Sequence, residues 1–186
     1  DVYKRQVKNI VPAVDGIFVD IGIGKNAFLR RKDLLNEKRF PTEGSPILAQ
    51  VIKSDTDMKG ALITEKISMF GKYAVTLSGT GYIGVSKKIR QESVRKRLKE
   101  IGKEICAEHM GLIIRTAAEN ADMDEFRKDI TRLKENWDII QKRFRMEKSP
   151  TLLYRESDII VKALRDYVNK GTEILITDNR KIYERI

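Results

Sequence analysis

The sequence predicts an α+β fold: a small five-stranded OB-type β-barrel followed by an α/β region with long helices. Five short β-type runs, separated by glycine and proline turns, fill residues 7–66. One apolar stripe, at steps of three and four, runs from Met123 to Phe144. Lys and Arg outnumber Asp and Glu by 37 to 27, which gives a net charge of +10 and a pI near 9.6. A basic chain that opens with a small barrel points to an anionic partner, nucleic acid first.

The barrel runs are 7–11, 16–22, 26–29, 47–53 and 59–64. Pro12 closes the first, Gly16 and Gly22 bound the second, and Gly24-Lys25-Asn26 turns into the third. Residues 33–35 suit one helical turn, and Pro46 opens the fourth run. Phe18 and Phe28 fall on adjacent strands. On the outer face they would stack on bases while Lys25, Lys53 and Lys59 meet phosphates. Pointing inward, they would fill the barrel instead. The residues leave both orientations open.

Residues 71–77 alternate apolar and polar as a half-buried strand does, Ser78 to Gly81 turns, and Tyr82 to Val85 returns. Ser86 precedes a basic cluster of Lys87, Lys88 and Arg90, which reads as a solvated face or an anion contact. A helix over 91–108 places Val94, Leu98, Ile101 and Ile105 on one side. Leu112 to Ile114 is a short buried strand, closed by Arg115 and Thr116. Arg115 offers a planar fork of donors that matches two phosphate oxygens, and Thr116 adds a hydroxyl. The competing reading is a strand end with an arginine packed on its neighbours.

Asp122, Asp124 and Glu125 suit the start of the next helix. Its stripe is Met123, Phe126, Ile130, Leu133, Trp137, Ile140 and Phe144, and the preceding strands favour a long helix laid on a sheet over a coiled-coil seam. Trp137 is read as core. Ser149-Pro150 breaks the chain. A strand over 152–154 follows, then a helix capped at Ser157-Asp158 with Ile159, Ile160, Ala163, Leu164 and Tyr167 inward, and an end at Asn169 to Gly171. A strand over 173–177 and a helix from Asp178-Asn179 complete a strand-helix-strand-helix order, the start of an α/β layer.

No apolar run reaches membrane-span length, and no signal peptide is visible. Cys106 is the only cysteine, which excludes an internal disulfide and fits a reducing cytoplasmic setting. His109 is the only histidine and reads as a solvated loop residue. The carboxylates show no metal-ligand spacing, so no catalytic residue and no metal ligand is assigned. The sequence begins without methionine and stops inside a helical pattern, so it reads as a piece of a longer protein.

The run GIFVDIGIGKNAFL over 16–29 resembles the "xAFVDIGxxKxGFL" core of the S-one type RNA-binding barrel of bacterial endoribonucleases of the ribonuclease E/G family. MKGALIT over 58–64 is similar to that family's "xKGAxLT", ISMFGKYAV over 67–75 to its "ISLAGRYLV", IGVSKKI over 83–89 to its "xGxSRRI", and GLIIRTAAE over 111–119 to its "GLIVRTAAE". The order and spacing of these motifs cover nearly the whole chain.

The resemblance implies three parts: a barrel over 1–67, a 5′-phosphate sensor region over 68–150, and the start of a ribonuclease H-like subdomain over 151–186. It implies single-stranded RNA as partner, with the 5′-monophosphate held at Gly71, Val75, Lys87, Arg115 and Thr116 and the RNA body at Phe18, Phe28 and Lys59. Lys87 stands where the family carries arginine, keeping the charge but losing the fork. The family's paired magnesium-binding aspartates and its Cys-x-x-Cys zinc link lie in later domains. Mg2+, Zn2+ and homo-oligomer formation are therefore expected of the full-length protein, not of this sequence. The expected function is the RNA-engaging part of a cytoplasmic endoribonuclease acting in RNA decay or rRNA processing. A non-catalytic RNA-binding barrel is the second reading. An anionic-membrane or protein scaffold, using the Met123 to Phe144 stripe, is the third.

Overall fold

The computed structural model describes residues 1–22, 25–56, 59–106, 110–155, 158–168 and 171–184. They divide into two compact units, Asp1–Arg155 and Glu156–Ile186. Gly24, Met58, His109, Ser157, Asn169 and Lys170, named above, lie outside the described residues.

In the first unit, β1 (Val2–Val11), β2 (Gly16–Asp20), β3 (Ala27–Arg30), β4 (Pro46–Lys53) and β5 (Leu62–Thr64) form the barrel. The order is β1-β2-β3-β5-β4, and β4 pairs back onto β1, so the five strands close. All neighbours are antiparallel except β3 and β5, which run parallel through Phe28↔Leu62 and Leu29↔Ile63. Closure leaves no free edge between β1 and β4. Val7, Ile17, Val19, Leu29, Leu34, Ile47, Ala49 and Ile63 fill the interior. Phe18 and Phe28 are half-buried on the outer face, because Ile17, Val19, Ala27 and Leu29 take the inward positions of their strands. The inward reading of the two phenylalanines is thereby corrected.

The second layer is a four-stranded sheet, β6 (Ser68–Phe70), β7 (Ala74–Ser78), β8 (Ile83–Val85) and β9 (Met110–Ile114), in the order β6-β7-β9-β8. Helices α1 (Glu92–Ile105) and α2 (Met123–Met146) share a core with one face of it. The stripe of α2 does what its spacing predicts: Phe126, Ile130, Leu133, Trp137 and Ile140 are buried with Met69, Ala74, Leu112 and Ile114. Asp122 caps α2, its carboxylate accepting from the N–H groups of Asp124 and Glu125. At the other end, the Lys4 ammonium donates to the carbonyls of Phe144 (2.6 Å) and Glu147 (2.7 Å), tying the barrel to the helix terminus. Gln50 joins β4 to β6 by accepting from the Ser68 N–H (2.9 Å) and donating to its carbonyl (2.8 Å).

The strand expected at 152–154 forms as β10 (Thr151–Tyr154), but it pairs antiparallel with β1 through Val2↔Tyr154 and Tyr3↔Leu152. It therefore extends the barrel sheet of the first unit and does not open a new layer. In the second unit, α3 (Ile159–Tyr167) starts at the Asp158 cap, and α4 (Arg180–Tyr183) starts at Asn179. The strand expected over 173–177 is not formed: residues 172–177 carry no regular element. Glu173 to Thr177 have β-type side chains, but no described strand of their unit pairs with them, and propensity without a partner does not make a strand. Ile160 and Leu164 are half-buried within this unit, whereas Ile159, Ala163 and Tyr167, expected inward, are exposed, Ile159 and Tyr167 by 80% and 81%.

Candidate nucleic-acid interface

Two sites emerge in the first unit. The barrel site is a groove of about 740 Å³ on the outer face. Phe18, Phe28 and Lys59 all line it, together with Lys53, Thr56 and Gly60. The two rings face each other at 5.4 Å between centroids, tilted by 49°. Gly16 makes this possible, since a Cβ there would stand 2.3 Å from the Phe28 ring. Lys59 is exposed beside Thr56, with which it exchanges two backbone hydrogen bonds. Lys25 reaches the same turn, its ammonium donating to the Thr56 carbonyl at 3.0 Å. Two aromatic faces rimmed by ammonium groups are the chemistry that stacks bases and neutralises phosphates without reading sequence.

The second site is at one end of the four-stranded sheet. Arg115 follows β9, and its backbone N–H continues the ladder to the Tyr73 carbonyl (2.7 Å). Its Nη1 donates to the carbonyls of Gly71 (2.8 Å) and Lys72 (3.2 Å). The turn between β6 and β7 is thus held from one side by the guanidinium. From the other side Asp129 of α2 holds it, accepting from the Tyr73 N–H at 2.8 Å. Arg132 donates to the second Asp129 oxygen at 2.9 Å. Gly71 sits between them, where a Cβ would lie 2.3 Å from the Asp129 carboxylate. The lack of a side chain at Gly71 therefore makes room for Asp129.

Thr116 is exposed, and its hydroxyl lies 3.0 Å from that of Ser86. Lys87 is exposed in the next position. Val75 is half-buried on β7, opposite Ile113 of β9. The structure thus brings Gly71, Val75, Arg115 and Thr116 to one end of the sheet and leaves Lys87 on the solvent side of Ser86. Arg115 closes a turn here, and the residue after it carries an exposed hydroxyl paired with Ser86.

Asp129 and the hydroxyl role of Ser86 were not anticipated. A signal for Asp129 was present: an acid three residues after Phe126 and beside Ile130, on the inward side of an apolar stripe. Tyr73 links the site to the core. Its ring packs edge-on against Phe126 (6.4 Å, 69°), and its hydroxyl donates to Glu125 at 2.8 Å. Burial, then the Glu125 carboxylate, push its pKa from 10.0 up to about 12. An unfolded Tyr73 gives up its proton first. The stability carried by its neutral form is complete below pH 10 and is lost as pH rises through 12. Alkaline unfolding should be less steep in Tyr73→Phe, which carries no titrating hydroxyl, and tyrosinate absorbance during the titration checks this.

Among the described residues no group of three or more His, Cys, Asp or Glu side chains could hold a metal ion, and no helix is long and apolar enough to cross a membrane.

Comparison with known proteins fits this geometry. Residues 68–186 match the Ribonuclease E/G family. Over an alignment of 203 residues, all of this chain is 32% identical to Ribonuclease G of Escherichia coli strain K12 and covers 42% of that protein. All of it is 32% identical to Ribonuclease E of a Synechocystis species, covering 29% of it. A "Putative ribonuclease E" of Buchnera aphidicola is 31% identical over 99% of this chain and 48% of its own length. The chain spans less than half the length of each of these relatives. It belongs to the ribonuclease E/G family.

Proposed function

We propose that this chain is the RNA-engaging part of a single-strand-specific endoribonuclease that acts in RNA decay or rRNA processing in the cytoplasm. The barrel, residues 1–67, holds the body of the RNA in the Phe18, Phe28 and Lys59 groove. The region 68–150 holds the 5′-monophosphate, and residues 151–186 lead into a ribonuclease H-like subdomain, with β10 still paired to β1 of the barrel sheet. The carrying observation is that Gly71, Val75, Arg115 and Thr116, far apart in sequence, meet at one sheet end in the same compact unit as the aromatic groove.

Arg115 supplies charge and planar donors to the phosphate, Thr116 and Ser86 supply hydroxyls, and Lys87 adds a point charge from the rim. Val75 packs the sugar or base of the terminal nucleotide. Magnesium, held by residues outside this chain, would supply the Lewis acid for phosphodiester hydrolysis. The residues of this chain bind and orient the substrate for that step. Zinc and a homo-oligomer belong to the same whole-protein reading.

The test is binding of short single-stranded RNA with 5′-monophosphate or 5′-hydroxyl ends at one fixed salt concentration. The monophosphate should bind about tenfold or more tightly, and Arg115→Ala should erase the difference. Because Arg115 also closes a turn, Thr116→Val serves as the second variant and should reduce the preference while leaving the melting temperature unchanged. Equal binding of both ends by the unaltered chain would leave only the second reading, an RNA-binding barrel without end recognition.

A further inference from the structure

The outer face of the four-stranded sheet carries a row of apolar groups that crosses all four strands. Phe70 of β6 pairs with Val75 of β7, Val75 with Ile113 of β9, and Ile113 with Gly84 of β8. Gly84 has no side chain, and the Tyr82 ring takes that place: a Cβ on Gly84 would meet Tyr82 Cε1 at 2.7 Å. The row therefore reads Phe70, Val75, Ile113, Tyr82, with an aromatic ring at each end. Phe70 is 45% exposed, Ile113 40% and Tyr82 63%.

Neighbouring positions on the opposite face, Met69, Ala74, Leu112 and Ile114, are buried against the helices, so the alternation of each strand directs this row outward. The row is bounded on both sides. Toward the start of β9, Thr80 covers Gly111, where a Cβ would be 2.7 Å from its methyl group. Toward the end of β9, Arg115 follows Ile113 by two residues, on the same face and roughly 7 Å away. The result is a trough with an apolar floor, aromatic ends and a guanidinium wall.

We infer that this trough is a stacking platform for the first two or three nucleotides of single-stranded RNA, with Phe70 and Tyr82 as its stacking groups. The inference rests on the 5′-phosphate reading above, since a phosphate at Arg115 places its own nucleoside over Val75 and Ile113. Three strand spacings make the platform roughly 14 Å wide, enough for two or three successive bases on a four-stranded sheet. The chain carries net charge +10, and Arg115 forms one side wall of the platform with Lys87 exposed two residues past β8, so an anionic strand is favoured over an apolar protein surface. Stacking is tolerant of base identity, so the platform would secure the 5′ end of many RNAs and leave sequence unread.

The experiment uses this chain and short RNAs carrying fluorescent aminopurine at the first, second, third or an interior position, each with a 5′-monophosphate or a 5′-hydroxyl end. Binding should quench the first positions through stacking. Phe70→Ala and Tyr82→Ala should each remove part of that quenching and weaken binding about tenfold. Phe70→Tyr and Tyr82→Phe keep the rings and should restore both. The interior position reports the barrel groove and should not change. Wild-type affinity and quenching in both alanine variants would overturn the platform, as would a change confined to self-association in sedimentation. Failure of the phosphate reading is separate: there the two 5′ ends bind alike while loss of the rings still lowers quenching at the first positions.

Discussion

Phe126→Ala should destabilise the first unit by about 3–5 kcal/mol, the range for removing a fully buried phenylalanine from a packed core. Phe126 is 0% exposed, and it touches the two things α2 does at once. It anchors the stripe that holds the helix on the sheet, and its ring packs against the Tyr73 ring. Tyr73 in turn follows the turn that Asp129 and Arg115 grip from opposite sides. The cavity left by alanine would remove support from that turn as well as from the helix. Urea unfolding followed by Trp137 fluorescence measures the first effect, since Trp137 lies in the same core. Affinity for the 5′-monophosphate end, measured below the unfolding transition, measures the second. A loss of less than 1 kcal/mol would mean that the site closes around the gap, and it would remove Phe126 as the link between core and site.

Gly71→Ala should abolish discrimination between 5′ ends while sparing RNA binding at the barrel. Its Cβ would enter at 2.3 Å from one Asp129 oxygen and 2.8 Å from the other, so the carboxylate must leave. The Tyr73 N–H then loses its buried acceptor, and Arg132 loses its ion pair. The cost is about 1–3 kcal/mol for overpacking, and an unpaired buried N–H adds to it. The turn moves with the carboxylate, and the two carbonyls that orient Arg115 move with the turn. Asp129→Ala in the same chain makes room for the new methyl group but leaves Tyr73 unpaired. The double variant should therefore be more stable than the sum of the two single changes predicts. Thermal melts of the four proteins test the coupling, and binding of the two RNA ends tests the function.

The local elements were legible wherever the pattern has a period. The α2 stripe fixed both the helix and its buried face, and the glycine-bounded runs marked the barrel strands. Orientation was not legible where neighbours were all apolar: in Ile17-Phe18-Val19 a period of two does not say which face is inside. Closure of β4 onto β1 decided it. Pairings between distant segments were equally hidden, and β10 read as the start of a new layer because its partner lies near the first residue of the chain. Of the residues matched to the family pattern, Gly71, Val75, Arg115 and Thr116 lie at one sheet end, but what holds them there was not legible. Asp129 lies on a helix whose apolar neighbours masked it, and the meaning of Gly71 depends on Asp129.

The pairing of β10 with β1 also sets an order of assembly. The five strands that close the barrel are all present once Thr64 has emerged from the ribosome. Tyr154 arrives only after both helices and the second sheet, and its contact with Val2 spans nearly the whole first unit. Such a contact adds little to the rate of barrel formation and carries a large loop-closure entropy until the intervening layer has folded. It would act as a late latch: β10 follows α2 in the chain, and the α2 terminus already rests on Lys4 of the same β1 strand, so the last strand of the sheet closes over a layer that precedes it.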